Sequence, residues 1–199
     1  ELSHVYEVGN ILMDTLRFNH NRLQRPAVMD DLKLENGKYI VFTLNRKALI
    51  ADKENLGNMI YAMNKAAGNT PIIAVLRNNA KEVVSQLTAG MADIHIIDSL
   101  PYLEFGYLTA HAIGIITDSG NVAEEATFNN VPCITLNSYT EHIETVKQGS
   151  NILVGEDADK LEAAIKDMTG NNWKKCSLPD RWDGRTAERI VHILLNMPG

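Results

Sequence analysis

The sequence has little of several features that mark whole classes of protein. Its two cysteines, Cys133 and Cys176, lie far apart, whereas a disulfide framework or a zinc site needs more cysteines at closer spacing. No apolar run approaches the roughly 20 residues that span a bilayer, and the first residues lack the basic segment of a signal peptide. The chain has 19 Lys and Arg against 25 Asp and Glu, so a basic surface for nucleic acid is not expected.

These absences predict a cytoplasmic protein with reduced thiols and without a membrane or nucleic-acid partner. No group of histidines, cysteines or carboxylates has the spacing of metal ligands, so we expect no metal. What remains is a composition typical of a globular protein, with 45% hydrophobic and 22% charged residues.

Short β-rich runs alternate with stretches of helical spacing along most of the chain. Most of these runs are nearly continuous in apolar residues, as expected for strands of a parallel sheet that is covered on both faces. The predicted strands are 39–44, 71–76, 93–98, 113–117, 132–136 and 151–155.

The intervening stretches predict helices with recognisable ends. Asp52 is the expected N-cap of one helix, and Pro101 occupies the favoured first position of another. The last helix is expected to bury one apolar side, formed by Ile190, Val191, Leu194 and Leu195. The predicted helices are 52–67, 79–89, 101–111, 119–129, 140–148, 157–168 and 186–197.

This alternation predicts an α/β fold, a doubly wound and mostly parallel sheet of Rossmann type. We expect a single domain over 1–199, with a core over 8–169, an irregular segment over 170–185 and a C-terminal helix over 186–197. Ligands of such sheets bind beyond the carboxyl ends of the strands, where the strand order reverses. The candidate binding loops are therefore 44–52, 76–80, 98–102, 117–121 and 136–142.

The loop over 117–121 carries the strongest signal, in the stretch "IITDSGNVAEEA". Ser119 can cap the following helix through its hydroxyl, and Gly120 lets a ligand approach the backbone. The exposed N–H groups at a helix N-terminus suit a diphosphate. An ordinary capped helix with acids near its start is the simpler alternative, and this stretch alone favours it.

Several motifs in order resemble the non-hydrolysing UDP-N-acetylglucosamine 2-epimerases. "TDSGNVAEEA" followed by "VPCITLNSYTEHIETVKQGSNILVG" resembles the signature region of that family. Upstream, "DSLPYLEFGYLTAHA", "VFTLNRKALIADKENL" and "VGNILMDTL" resemble three further segments of it. The order and spacing hold from residue 8 to about 190, and several motifs in order are more specific than any one alone.

The resemblance implies one Rossmann-like half of a GT-B-like two-domain architecture, with the N-terminal domain of the parent enzyme absent. It implies an isomerase that interconverts UDP-GlcNAc and UDP-ManNAc for polysaccharide biosynthesis, by elimination and re-addition of UDP. No cofactor besides the UDP-sugar is expected, and the full-length enzyme is expected to be a homodimer. The UDP-binding residues implied are Phe105 at the uracil, Glu125 at the ribose, Ser119 and Gly120 at the phosphates, and also Asn121 and His142.

The sequence departs from the family pattern at several of these positions. Asn45 stands where the family has a histidine, although the following Arg46 is kept; with Glu141, these are the catalytic candidates. Asn121 replaces a glycine, and His142 replaces an arginine. These departures leave two alternatives open: a non-catalytic nucleotide-sugar-binding module, or the C-terminal domain of a GT-B glycosyltransferase. The chain alone is expected to be inactive.

Overall fold

A computed structural model describes residues 4–198 and contains one sheet of six strands. The strands are β1 (Ile40–Phe42), β2 (Ile72–Val75), β3 (Ile94–Ile97), β4 (Gly114–Thr117), β5 (Cys133–Thr135) and β6 (Asn151–Leu153). The helices are α1 (Ile11–Asn19), α2 (Val28–Asp31), α3 (Lys47–Ala51), α4 (Lys53–Ala67), α5 (Asn78–Leu87), α6 (Tyr102–Ala110), α7 (Gly120–Phe128), α8 (Ile143–Lys147), α9 (Ala158–Thr169) and α10 (Thr186–Asn196).

The strand order is β3-β2-β1-β4-β5-β6, and every neighbouring pair is parallel. The chain runs outward from β1 to β3, returns beside β1 as β4, and runs outward again to β6. The predicted doubly wound sheet is therefore confirmed. The reversal between β1 and β4 opens the crevice at which such sheets bind ligands.

The core lies on both faces of the sheet because alternate residues of each strand point to opposite sides. Ile40 and Phe42 of β1 pack in a cluster with α4, α5 and α9. Their neighbours Tyr39 and Val41 pack in a second cluster with α6 and α7. Burial on both faces explains why the strand sequences are continuous in apolar residues rather than alternating.

Helix ends follow local sequence closely, with one small correction. Asp52 caps α4, since its side chain accepts a hydrogen bond from the Asn55 N–H at 3.2 Å. Pro101 lies at the N-cap of α6 and not at its first helical position, because its ψ of 154° is extended. Its carbonyl accepts the first helical hydrogen bond from Phe105.

The predicted burial of one side of the last helix is wrong. Val191, Leu194 and Leu195 expose 54%, 63% and 79% of their surface, and Ile190 is only partly buried. The physical reason is that α10 packs beside α1 and not on the sheet. No helix in the described part of the chain has both the length and the apolar character needed to cross a membrane.

The segment "VGNILMDTL" (8–16), near the N-terminus, packs against the C-terminal part of the described chain. Gly9 has φ +106°, and a Cβ there would lie 2.5 Å from the carbonyl oxygen of Arg181. Asp14 of α1 caps α10 from outside, since its carboxylate accepts hydrogen bonds from the N–H groups of Thr186 (3.0 Å) and Ala187 (2.8 Å). Local periodicity predicted neither α1 nor this long-range cap.

Residues 170–185 are all described, and they form neither helix nor strand. Trp173 donates its indole N–H to the Ser150 carbonyl at 2.9 Å, and Trp182 is buried. The Lys174 ammonium donates to the carbonyls of Val146 and Asn151, both at 2.6 Å. These contacts hold the segment against the end of the sheet near β6. Both cysteine thiols are free.

Candidate functional site

A cavity of about 570 Å³ lies at the carboxyl ends of β1, β4 and β5, where the strand order reverses. Three of the five loops considered from sequence contribute to it, namely those that follow these three strands. The cavity contains seven of the predicted site residues: Asn45, Arg46, Ser119, Gly120, Asn121, Glu141 and His142.

The N-terminus of α7 opens into this cavity. Ser119 caps the helix, because its hydroxyl accepts a hydrogen bond from the Val122 N–H at 3.4 Å. The Ser119 N–H itself donates to the hydroxyl of Thr117 at 3.0 Å, which fixes the turn between strand and helix. The first N–H groups of any helix have no acceptor within the helix. The helix therefore presents donors and the positive end of its dipole to the cavity.

Asp118 ties the loop after β4 to the loop after β1. Its carboxylate accepts hydrogen bonds from the backbone N–H groups of Asn45 (2.9 Å) and Arg46 (2.6 Å). Its backbone carbonyl accepts from the Asn137 side chain at 3.2 Å. Because these amides already surround the carboxylate, Asp118 shapes the cavity wall rather than offering a free acid.

Arg46 lines the cavity but is held by protein groups. Its guanidinium donates to the Asn137 side chain at 2.7 Å and to the Leu136 carbonyl at 3.0 Å, and it pairs with Glu156. Arg46 thus joins the ends of β1, β5 and β6. Asn45 and Glu141 lie exposed on the cavity rim.

Glu124 lies behind the cavity and was not among the residues predicted for the site. It is 3% exposed, accepts a hydrogen bond from the Asn10 side chain, and lies 3.0 Å from Nε2 of His142. His142 in turn reaches the cavity and lies beside Gly120, where a Cβ would be 3.1 Å from the imidazole Cδ2. The only sequence signal for Glu124 was its place in a pair of adjacent acids.

Glu125 and Phe105 lie away from this cavity. Glu125 faces a second cavity of about 20 Å³, closed by Leu16, Leu23 and Tyr102. This space suits about one water molecule and is far too small for a pentose. Burial, and then the charge of Glu124, raise the pKa of Glu125 to about 7. Phe105 packs against the core cluster that contains Leu108. The implied ribose and uracil contacts therefore stay predictions.

Within residues 4–198, no three His, Cys, Asp or Glu side chains come together in a way that could hold a metal ion.

The sequence and the fold of the chain are similar to those of known proteins. Residues 1–195 match the model of a family described as UDP-N-acetylglucosamine 2-epimerase. A UDP-N-acetylglucosamine 2-epimerase homolog from Methanococcus maripaludis is 30% identical, over 98% of this chain and 56% of its own length. The crystal structure of Methanocaldococcus jannaschii UDP-GlcNAc 2-epimerase in complex with UDP-GlcNAc and UDP is 32% identical, with a TM-score of 0.77, over 99% of this chain and 56% of that one.

A UDP-GlcNAc 2-epimerase from Neisseria meningitidis, bound to UDP-GlcNAc, has a TM-score of 0.82 over 99% of this chain and 57% of that one. Its identity of 22% shows the fold alone. The predicted Rossmann-like half of a GT-B-like architecture is confirmed. The chain spans little more than half the length of the proteins that it matches.

Proposed function

Because the chain belongs to the UDP-N-acetylglucosamine 2-epimerase family, we propose that it is the UDP-binding part of an enzyme that interconverts UDP-GlcNAc and UDP-ManNAc. The observation that carries this proposal is the open N-terminus of α7 in the cavity at the strand-order reversal. Support also comes from the 32% identical epimerase that was solved with UDP-GlcNAc and UDP.

In this proposal the start of α7 binds the diphosphate. The N–H groups near Gly120 and Asn121 face the phosphate oxygens, and His142 lies beside them. When the bond between C1 of the sugar and the phosphate oxygen breaks, negative charge grows on the departing UDP. Donors that are already oriented stabilise that charge more than they stabilise the bound substrate, so they lower the barrier.

The reaction also needs a proton to leave C2 and return on the other face of the sugar. Among the catalytic candidates, Asn45 carries an amide that does not serve as a base, and Arg46 is engaged by Asn137 and Glu156. Glu141 is the remaining acid on the cavity rim. We therefore propose that groups in the rest of the relatives' length complete proton transfer, with no cofactor besides the UDP-sugar.

A non-catalytic nucleotide-sugar-binding module is the second candidate, favoured by Asn45 and His142 at positions where the family has histidine and arginine. We further propose a cytoplasmic role in polysaccharide biosynthesis, which suits the free thiols of Cys133 and Cys176. A homodimer is proposed for the full-length enzyme, and light scattering on that protein tests it.

Two matched substitutions test the diphosphate site. Asn121 is the second residue of α7 and lines the cavity, whereas Asn79 is the second residue of α5 and lies outside it. Both side chains are exposed. We expect Asn121→Asp to weaken UDP binding about tenfold, because the new charge repels the phosphates. Asn79→Asp adds the same charge at the start of another helix and should leave the affinity unchanged.

Isothermal titration calorimetry with UDP measures both affinities, and uridine serves as the ligand without phosphates. No heat with UDP at millimolar concentration would count against both the epimerase and the binding module. Equal affinities for the two variants would remove the start of α7 from the phosphate site.

A further inference from the structure

Glu124 is a buried carboxylate that the proposed phosphate site does not itself use. We propose that Glu124 and Asn10 are positioning residues that hold the ring of His142 over the start of α7, so that diphosphate binding strengthens when this histidine is protonated. This inference rests on the proposed UDP-binding function and adds a pH dependence to the same site.

Both oxygens of the Glu124 carboxylate have partners. Oε2 accepts a hydrogen bond from Asn10 Nδ2, and Oε1 lies 3.0 Å from His142 Nε2. The Glu124 side chain is 4% exposed, and a carboxylate as buried as this one is stable only when it is paired and hydrogen-bonded. Glu124 therefore accepts one hydrogen bond from Asn10 and one from His142, and these bonds fix the positions of both side chains.

The orientation of Asn10 is set by a separate contact. Its Oδ1 accepts a hydrogen bond from the Leu12 N–H at 3.0 Å and so caps α1. The amide nitrogen of Asn10 is consequently directed away from that cap and toward Glu124. The start of α1 thus supports the carboxylate that supports the histidine.

The carboxylate also determines which nitrogen of His142 carries a proton. An ionised carboxylate only accepts hydrogen bonds, so Nε2 of the ring must be the donor to Glu124. In the neutral ring Nδ1 then carries no proton. Protonation of Nδ1 adds a positive charge to the ring. Because the Cδ2 edge of the ring lies beside Gly120, this charge is added next to the start of α7, where it attracts a diphosphate as the pH falls.

Each element around the ring contributes to its electrostatic surroundings. Most of the titratable groups around the ring are acids, and Asn10 of α1 adds no charge. The titratable groups that face the ring or share its cavities are Glu124 of α7, Glu144 of α8, the adjacent Glu141, and Tyr139, Asp118 and Arg46 across the larger cavity. Glu124 is the one in contact with the ring.

The test compares UDP affinity at pH 5.5, 7.0 and 8.5 for the 199-residue chain and for His142→Arg. Arginine stays charged and donates hydrogen bonds at every pH. Dividing the wild-type affinity by that of His142→Arg at each pH therefore cancels the effect of the ligand's own titration. Between pH 8.5 and 5.5 we expect wild-type affinity to gain about tenfold relative to His142→Arg, the effect of one positive charge added near the phosphates.

The positioning role is tested with Glu124→Gln, with Glu144→Gln as the control that removes a nearby charge without touching the ring. Glu124→Gln should lose most of the pH-dependent gain, because a neutral amide makes no ion pair with the charged ring and does not require Nε2 to be the donor, so the ring is no longer held over the start of α7. Glu144→Gln should keep that gain. If Glu124→Gln fails to fold, Asn10→Ser takes its place, since serine retains a cap for α1 but is too short to reach Glu124.

Each result decides a separate point. Parallel pH profiles for wild type and His142→Arg would overturn the inference while leaving UDP binding intact. A Glu124→Gln variant whose affinity falls equally at every pH would show a structural role only, and would also overturn it. Absence of UDP binding by the wild-type chain at every pH would instead overturn the proposed function and, with it, this inference.

Discussion

The two adjacent glutamates of α7 show how strongly the surroundings of a residue determine its chemistry. Glu124 is paired with Asn10 and His142, whereas Glu125 is enclosed in a small cavity beside Tyr102. Side chains of consecutive residues on a helix point about 100° apart. The family resemblance implied Glu125 at the ribose, whereas in the structure it is Glu124 that lies behind the cavity.

The pKa of Glu125 makes the stability of the protein depend on pH. Its pKa is raised to about 7 from 4.5, first by burial and then by the charge of Glu124. Between these pH values the folded chain binds more protons than the unfolded chain, so this group's contribution to stability is present below pH 4.5 and is lost as pH rises through 7. We expect Glu125→Gln to raise the free energy of unfolding at pH 8 by up to about 3 kcal/mol, and to change it little at pH 4.

Urea unfolding at both pH values measures this effect. Glu82→Gln is the control, because Glu82 is an exposed acid on α5. An equal change in the free energy of unfolding of the two variants would contradict the raised pKa of Glu125.

The ribose contact implied for Glu125 is a separate prediction at the same residue. For that contact to form, the carboxyl must leave its 20 Å³ cavity. Glu125→Ala is then expected to weaken UDP binding by about 1–3 kcal/mol, the loss of one or two charge-assisted hydrogen bonds. Calorimetry with UDP measures it, and an unchanged affinity would remove Glu125 from the site.

Among the elements, the strands and their following loops were the most predictable. All six predicted strands are present, because continuous apolar runs are typical of a parallel sheet with both faces covered. The position of α10 was not predictable in this way. Its apolar stripe suggested burial, yet its place beside α1 depends on Gly9 and Asp14, which are far from it in the sequence.

This junction between α1 and α10 is testable at Gly9. A Cβ at Gly9 would lie 2.5 Å from the Arg181 carbonyl and 2.8 Å from the Thr186 hydroxyl, at φ +106°. Gly37 also has a positive φ, +73°, but has open space around it. Gly9→Ala should therefore destabilise the fold by about 2 kcal/mol more than Gly37→Ala, which carries the backbone strain without the clash.

Urea unfolding of both variants measures the difference, and hydrogen exchange locates it. Faster exchange is expected in α10 for Gly9→Ala alone. Equal losses of stability would show that the junction tolerates a side chain.

For the whole molecule, the important fact is that the chain spans little more than half the length of its relatives. Its cavity combines the open N-terminus of α7 with Arg46, whose guanidinium is bonded to Asn137, and with the rim acid Glu141. We expect the chain to bind UDP-GlcNAc but to form no UDP-ManNAc, because groups for both proton transfers are not assembled there. Proton NMR of the sugar after incubation measures turnover.

Formation of UDP-ManNAc by the chain alone would contradict this expectation. The same assay on a protein of the relatives' full length separates the candidate functions. Epimerisation supports the enzyme, UDP binding without turnover supports the binding module, and transfer of the sugar to an acceptor supports a glycosyltransferase.

Local pattern in the amino-acid sequence was enough for the strands, for the caps at Asp52 and Ser119, and for the loops that meet at the cavity. These features depend on near neighbours along the chain, so periodicity and residue type reveal them. Only the tertiary structure decided that Glu124 meets Asn10 and His142, that Glu125 is enclosed, and that the apolar side of α10 is exposed. Asn10 and Glu124 are 114 positions apart, and Asp14 and Thr186 are 172 apart, so packing against another element, not local preference, brings such residues together.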